Sequence, residues 1–279
     1  MSWHPAHGRH VRVSTLVLVV FLVLAGGCAT MPDPGDPEAV AEFNKVNDPA
    51  EPANRAIFEL NRSLDTAFLK PVATFYRDVI PQFLQDRIND ALDNLRAPVI
   101  FLNDILQGEL DRALATAARF MVNSTIGILG VIDIATEMGL EGHDEDFGQT
   151  LGYWGVGSGP YLVLPILGPS TVRDTSGLPV DMYTYPVTYV EDDKWRYGLT
   201  FLRYVDLRAS LLDQEALIQG DRYSFIRDAY LQRRQFEVTN GAAGEDPFAS
   251  GGFGYVPASG VAGLLNFEDF VVWSLAQAD

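Results

Sequence analysis

Cysteine occurs once in this 279-residue chain, at position 28, and histidine four times. A single thiol excludes an intrachain disulfide framework and any zinc cluster built on several cysteines. Basic residues are scarce as well: 20 Lys and Arg stand against 37 Asp and Glu, a formal charge of −17. A nucleic-acid binder needs a basic footprint to displace counterions from phosphates, and a protein held on anionic lipid by charge needs a polybasic patch. This composition supplies neither, so nucleic acid is not an expected partner. The hydrophobic share of 47% is still enough for a sizeable core, in one large domain or two small ones.

Acidic residues are missing from residues 1–12, which carry Arg9, Arg12 and three of the histidines. An apolar run over 13–24 follows, then Ala25, Gly26, Gly27 and Cys28. A cationic start, a short apolar stretch and small residues before a cleavage point describe a secretory signal peptide over 1–27. Twelve apolar residues rise ~18 Å as a helix, short of a ~30 Å hydrocarbon core, which disfavours an uncleaved membrane anchor. Small residues followed at once by Cys28 resemble a bacterial lipobox, whose thiol is diacylated. Ala25 stands where that pattern usually has Leu, with Leu24 one place further back. Ala29, in place of Asp, resembles an outer-membrane sorting signal. Several acyl chains on one terminus exceed the two-signal threshold for stable anchoring. Removing 1–27 takes two arginines and no acid, so the charge of −17 becomes −19. His143 is then the sole histidine, and any Ser-His-Asp or His-ligated metal scheme would rest on it.

Residues 28–50 are acidic and proline-rich and read as a lipidated tether leading to a first short helix. From Glu51 the spacing becomes helical: Ile57, Leu60, Leu64 and Phe68 share a face, and Pro71 ends or kinks that helix. Phe83 to Leu95 forms a second helical element, which Pro98 separates from the residues that follow. Gly108 punctuates before a third, striped by Leu110, Leu114, Ala117, Ala118 and Met121. Ala209–Gln219 and Tyr223–Phe236 are helical again, so the chain is mainly α. In 182–190, Tyr183, Tyr185, Val187 and Tyr189 alternate with Thr184, Pro186 and Thr188, the period of a half-buried strand, which Pro186 demotes to an edge or an extended connection. Residues 241–279 contain no Lys or Arg and read as a Gly-rich acidic tail with a short helix at 266–275.

Charge vanishes from residues 147–172, which hold six glycines and three prolines. Those breakers argue against a spanning helix despite a sufficient length. Two readings stay open: a re-entrant hairpin or wall at membrane depth, or a buried loop in a soluble domain. Three nucleotide and hydrolase signatures fail here. The position three beyond Gly157 is Pro160, so there is no dinucleotide fingerprint. Ser158 is bracketed by Val156 and Pro160, so there is no nucleophile elbow, and no Gly-Lys-Ser/Thr is present. His143 with Asp144, Glu145 and Asp146 reads as a solvated acidic turn or a helix cap in preference to a metal site.

The blocks 47–65, 69–81, 101–110, 119–135, 145–174 and 223–236 resemble the MlaA family, also called VacJ, over roughly residues 44–240. The block EDFGQTLGYWGVGSGPYLVLPILGPSTVRD at 145–174 is the most specific of them. The resemblance implies a 51–240 domain built as a ring of amphipathic helices in the inner leaflet of the outer membrane, on its periplasmic side. A Gly/Pro-rich hairpin would line a central polar channel. It implies removal of misplaced phospholipid from the outer leaflet, beside an outer-membrane porin trimer, and delivery to a soluble periplasmic carrier of the MlaC type. It also implies a helical or irregular 182–190, against the strand reading.

Channel or hairpin residues would then be Phe147, Gly148, Gln149, Tyr153, Trp154, Gly155, Gly157, Gly159, Pro160, Tyr161, Pro165, Gly168 and Pro169. Tyr153, Trp154 and Tyr161 suit either headgroup level or packing of the hairpin, and Gly155, Gly157, Gly159 and Pro160 suit a bend. Arg173 and Asp174 are candidates for a headgroup contact or gate, with mutual pairing the simpler role. No cofactor or metal is implied. A phospholipase is disfavoured by the missing elbow and the single histidine. A structural envelope lipoprotein or scaffold without a channel is the main alternative, and it has no need of an uncharged broken segment.

Overall fold

The computed structural model describes residues 46–218 and 220–241. The signal peptide, Cys28, most of the tether, and the tail from 242 with its expected helix at 266–275 lie outside the described residues. The first helix, α1 (Glu51–Leu64), runs through a wide π-turn (Asp65–Leu69) into α2 (Lys70–Val79). In that turn the Lys70 N–H reaches back five residues to the Asp65 carbonyl. The widening precedes Pro71, whose ring does not fit the interior of a regular turn, so the proline kinks the path and opens α2.

The expected break at Pro98 is corrected: α3 (Gln82–Gln107) is one 26-residue helix with Pro98 inside it. Leu92, Ala97 and Val99 are buried on either side of the proline, and α3 packs along α4 (Leu110–Thr125), so tertiary packing outweighs the local loss of a hydrogen bond. Gly108 closes α3 at φ +79°, the left-handed cap expected of glycine. A short helix, α5 (Ile134–Glu137), leads to α6 (Phe147–Tyr153), and a two-stranded hairpin follows. There β1 (Tyr161–Leu164) pairs antiparallel with β2 (Gly168–Thr171), with Tyr161 opposite Thr171. Helices α7 (Val172–Thr184), α8 (Asp193–Leu211) and α9 (Arg222–Val238) complete the described chain.

The strand reading of 182–190 is overturned: α7 runs to Thr184 and Pro186–Tyr189 is a tight 3-10 turn. Only Val187 of the alternating set is buried, while Tyr183 is 73% exposed, so no sheet face exists for the pattern to serve. The helix expected from Ala209 starts earlier, at Asp193, where Asp192 caps it, and passes at Leu212 into another 3-10 turn.

The partition of residues explains why the helical stripes are so regular. Leu60, Phe68, Leu110, Leu114 and Met121 point outward, and Leu114 is 68% exposed. The apolar core proper is modest. It gathers Phe58, Tyr161, Val163, Leu207, Leu211, Tyr223, Ile226 and Tyr230 where α1, the hairpin, α8 and α9 meet. A smaller cluster joins Ala73, Tyr76, Val205 and Ala209 between α2 and α8. Arg96, Asp104, Asp146, Asp174, Arg203, Arg208 and Arg234 are buried. Exposed apolar side chains in this number mark a surface that meets membrane or another protein.

Candidate functional site

The uncharged segment divides into a helix, a glycine loop and the β-hairpin. Asp146 caps α6 by accepting the Gln149 N–H at 2.8 Å, and the Phe147 N–H is held by Asp181 at 2.9 Å. Gly148 and Gln149 are buried, and a side chain at Gly148 would strike Asp174 and Arg234. The Phe147 and Trp154 rings meet edge to face, and the Trp154 indole N–H donates to the Leu106 carbonyl at 3.0 Å. Tyr153 and Trp154 are nonetheless exposed.

Gly155 and Gly159 take positive φ, of +90° and +68°, whereas Gly157 faces open space. The N–H groups of Val172 and Arg173 close the loop on Pro160 and Ser158, each at 3.1 Å. Tyr161 is packed between Tyr223 and Tyr230. Pro165 lies in the exposed hairpin turn, and Gly168 and Pro169 are buried in β2. Two amides two turns apart on α1 seat the hairpin. Asn54 accepts the Val163 N–H at 2.9 Å, and Asn61 accepts the Ile166 N–H at 2.8 Å while donating to Leu164 at 2.9 Å.

Both ends of the segment are fastened to one guanidinium. Arg234 reaches Asp146 at 2.6 and 2.9 Å and Asp174 at 2.9 Å. Arg173 pairs with Asp174 at 2.9 Å, and the Tyr230 hydroxyl donates to the same carboxylate at 2.6 Å. Burial alone would raise the Asp174 carboxyl, but Arg234 and Arg173 outweigh it and hold Asp174 well below the usual range. Asp146 is held down in the same way, chiefly by Arg234. The 143–146 run is therefore not a solvated turn: Glu145 and Asp146 are buried, and the cap is the part of the expectation that the structure matches.

A polar cavity of about 370 Å³ opens beside this run. Its walls are α3 from Asp86 to Ile100, the face of α4 bearing Thr116, Arg119 and Asn123, and Asp133, Thr136 and the 142–144 stretch. Five aspartates (Asp86, Asp90, Asp93, Asp133 and Asp144) and three arginines (Arg87, Arg96 and Arg119) face it. They are paired: Arg87 with Asp90 at 3.0 Å, Arg96 with Asp144 at 3.2 Å, and Arg119 with Asp133 at 2.9 Å. Arg203 of α8 holds Asp93 at 2.6 Å from outside the lining. Burial pushes the Asp90 carboxyl up to about 6, with Asp133 and Asp93 adding to the rise against Arg87.

His143 is fixed by Asp104, its Nε2 lying 2.8 Å from Oδ1. The same nitrogen is the one 3.5 Å from the Thr116 hydroxyl, so no nucleophile–base–acid relay runs through the two ring nitrogens. No group of His, Cys, Asp and Glu among the described residues is arranged to hold a metal.

None of the residues singled out in 147–172, nor Arg173 or Asp174, lines this cavity. The cavity acids of α3 were not singled out from the sequence. Their signal is the spacing of Asp86, Asp90 and Asp93, at i, i+4 and i+7 on one helical face.

Comparison with known proteins agrees with this architecture. The family model for the MlaA lipoprotein matches residues 46–237. The intermembrane phospholipid transport system lipoprotein MlaA of Escherichia coli (strain K12) is 36% identical over 239 residues, 83% of this chain and 90% of that one. Its Haemophilus influenzae counterpart is 30% identical over 239 residues, 83% and 93% of the two chains. A solved structure from work on the structural basis for maintenance of bacterial outer membrane lipid asymmetry matches with a TM-score of 0.62 at 34% identity. It spans 68% of this chain and 98% of the other. With the family model matching residues 46–237 and two relatives 36% and 30% identical over 239 residues each, this chain belongs to the MlaA lipoprotein family.

Proposed function

We propose that this chain is an outer-membrane lipoprotein that takes mislocalised phospholipid from the outer leaflet through a polar channel and releases it to the periplasm. Lipid asymmetry of the membrane is maintained as a result. The single observation that carries the reading is the inverted partition: paired charges line an inner cavity while the large apolar side chains face outward. No helix among the described residues is long and apolar enough to cross a membrane. Outward-facing amphipathic helices of this length fit one leaflet, held there by the acyl chains expected on Cys28. The domain assignment follows: signal peptide 1–27, lipidated tether 28–50, channel domain 51–240 and tail 241–279.

A phospholipid crosses hydrocarbon slowly because its charged headgroup must enter it, at a cost of at least ~2.5–3.5 kcal/mol per central charge on insertion scales. A polar path for the headgroup, with the acyl chains left in lipid, lowers that barrier without covalent chemistry. Direction then comes from the acceptor, a soluble periplasmic carrier of the MlaC type, and placement across the membrane from an outer-membrane porin trimer. The 147–172 segment follows directly in the chain on Asp144 of the cavity wall, with Asp146 capping its first helix, and contributes no side chain to that wall. Arg173 and Asp174 act there by clamping its far end. Reconstitution tests the reading: porin, carrier and the mature lipidated chain in vesicles must move phospholipid onto the carrier faster than porin and carrier alone. Equal rates would overturn it.

A further inference from the structure

Every arginine that faces the cavity already has a carboxylate. Arg96 and Arg119 are matched with Asp144 and Asp133, and Arg87 with Asp90. Such a lining treats incoming charges unequally. A lone anion that captures one of these guanidinium groups displaces a carboxylate and leaves it without its partner in a partly buried site, which is costly. A headgroup bearing both signs has no such cost, because its phosphate takes the guanidinium while its ammonium takes the released carboxylate. The acids also outnumber the arginines in the lining, and Asp86 accepts a hydrogen bond from the Gln82 amide at 2.9 Å.

We infer that this cavity selects zwitterionic, ammonium-bearing phospholipid headgroups of the phosphoethanolamine type over purely anionic ones, by exchange into its existing ion pairs. The inference rests on the transport reading above and assigns that path a substrate preference and a set of residues. Asp90 adds support beside that geometry: burial, with Asp133 and Asp93 adding to it, pushes its carboxyl up, and a cation in the cavity would favour its charged form. The volume of about 370 Å³ suits a headgroup and excludes a whole lipid, whose chains stay outside.

The test uses donor vesicles holding equal phosphatidylethanolamine and phosphatidylglycerol with matched acyl chains, the mature lipidated chain, a porin trimer and the soluble carrier. Mass spectrometry reads the lipids collected on the carrier. The wild-type chain should deliver the zwitterionic lipid about five-fold faster, the size of one modest ion-pair interaction. Asp90→Asn frees Arg87 and should bring the two lipids to about equal rates, a roughly five-fold change in their ratio. Asp144→Asn should do the same at Arg96, and if it does not accumulate, Asp90→Asn decides alone. Equal delivery of both lipids by the wild type overturns the selectivity and leaves transport standing. So does an unchanged ratio in Asp90→Asn, or loss of both lipids in that variant with its helical spectrum intact. Delivery of neither lipid by the wild type overturns the transport reading, and this inference with it.

Discussion

Arg234 grips Asp146 with both ends of its guanidinium, at 2.6 and 2.9 Å, and in doing so ties α9 to the start of α6. The same group holds Asp174 at 2.9 Å, so one side chain fastens the segment where it enters and where it leaves. Arg234→Ala strands the buried Asp146 carboxylate and leaves Asp174 to Arg173 and Tyr230, and should destabilise the fold by ~3–5 kcal/mol. The loss should shrink in acid, because a protonated Asp146 tolerates burial without a cation. Thermal unfolding of detergent-solubilised protein at two pH values measures both effects. An equal loss at both would show that the pairing is not its cause.

Asn61 supplies a second fastening, and a test that does not touch charge. Its amide meets the Ile166 N–H in the hairpin turn and the Leu164 carbonyl at the end of β1. Asn61→Ala would leave both unsatisfied, at ~1–3 kcal/mol for each group that stays dry. Limited proteolysis should then cut first within 161–171, and Asn61→Asp, which keeps one acceptor, should recover part of the protection. Uniform susceptibility along the chain would contradict this role.

Much of this was legible in the sequence, and the misses have physical causes. Helix α9 could be read because it packs on the core, and α4 because an outward apolar face carries the same 3.6-residue period as a core-facing one. Periodicity therefore reveals that Leu110, Leu114 and Met121 share a face and is silent on whether that face looks inward. Pro98 was misleading because its cost is local while the packing of Leu92, Ala97 and Val99 that outweighs it comes from residues distant in sequence. The strand pattern of 182–190 was a coincidence of composition, with Pro186 starting a tight turn. Arg234 lies 60 residues beyond Asp174, and no spacing rule links them. The cavity escaped for a similar reason: its aspartates and arginines come from α3, α4 and the 133–144 stretch, and only the fold collects them.

Gly157 and Gly148 make a matched pair for separating folding from passage. Nothing lies within 4 Å of a side chain added at Gly157, whereas one at Gly148 would meet Asp174 at 2.7 Å. Gly157→Val should leave abundance and melting temperature near wild type while slowing lipid transfer, through a stiffer and bulkier loop. Gly148→Ala should lower both together, by ~1–3 kcal/mol of stability from overpacking. Parallel losses of abundance and transfer in Gly157→Val would reduce that glycine to a folding role.

Stability should also decline toward alkaline pH, and two acids give the sign. Burial pushes both Glu145 and Asp181 up to about 8, against ordinary values of 4.5 and 3.8. A carboxyl whose folded value is raised contributes stability fully present below its unfolded value and lost as pH rises through the folded one. Their share is thus lost between about pH 4 and 8. Asp133 and Asp174 are lowered, so their contribution is present above 3.8 and lost as pH falls further. The melting temperature should peak in mild acid and fall by pH 8. Glu145→Gln combined with Asp181→Asn should flatten that fall, and an unaltered slope would exclude these two groups as its source.

Phe68 and Phe75 test the outward face most directly. They stand 69% and 65% exposed on the π-turn and α2, seven residues apart on one side of the path. Neither belongs to the apolar clusters of the interior, so polar replacement leaves the packing of the fold untouched. In water such a pair would be a liability, and in a leaflet each ring gains ~1.5–3 kcal/mol by leaving solvent. Phe68→Gln with Phe75→Gln, made in a Cys28→Ser chain so that acyl anchors do not mask the effect, should weaken partition into phospholipid vesicles about 100-fold or more. Circular dichroism should show unchanged helix. Vesicle flotation decides the matter: undiminished binding would mean that this face meets protein, not lipid, and the apolar exterior would then have to be explained by a partner covering it.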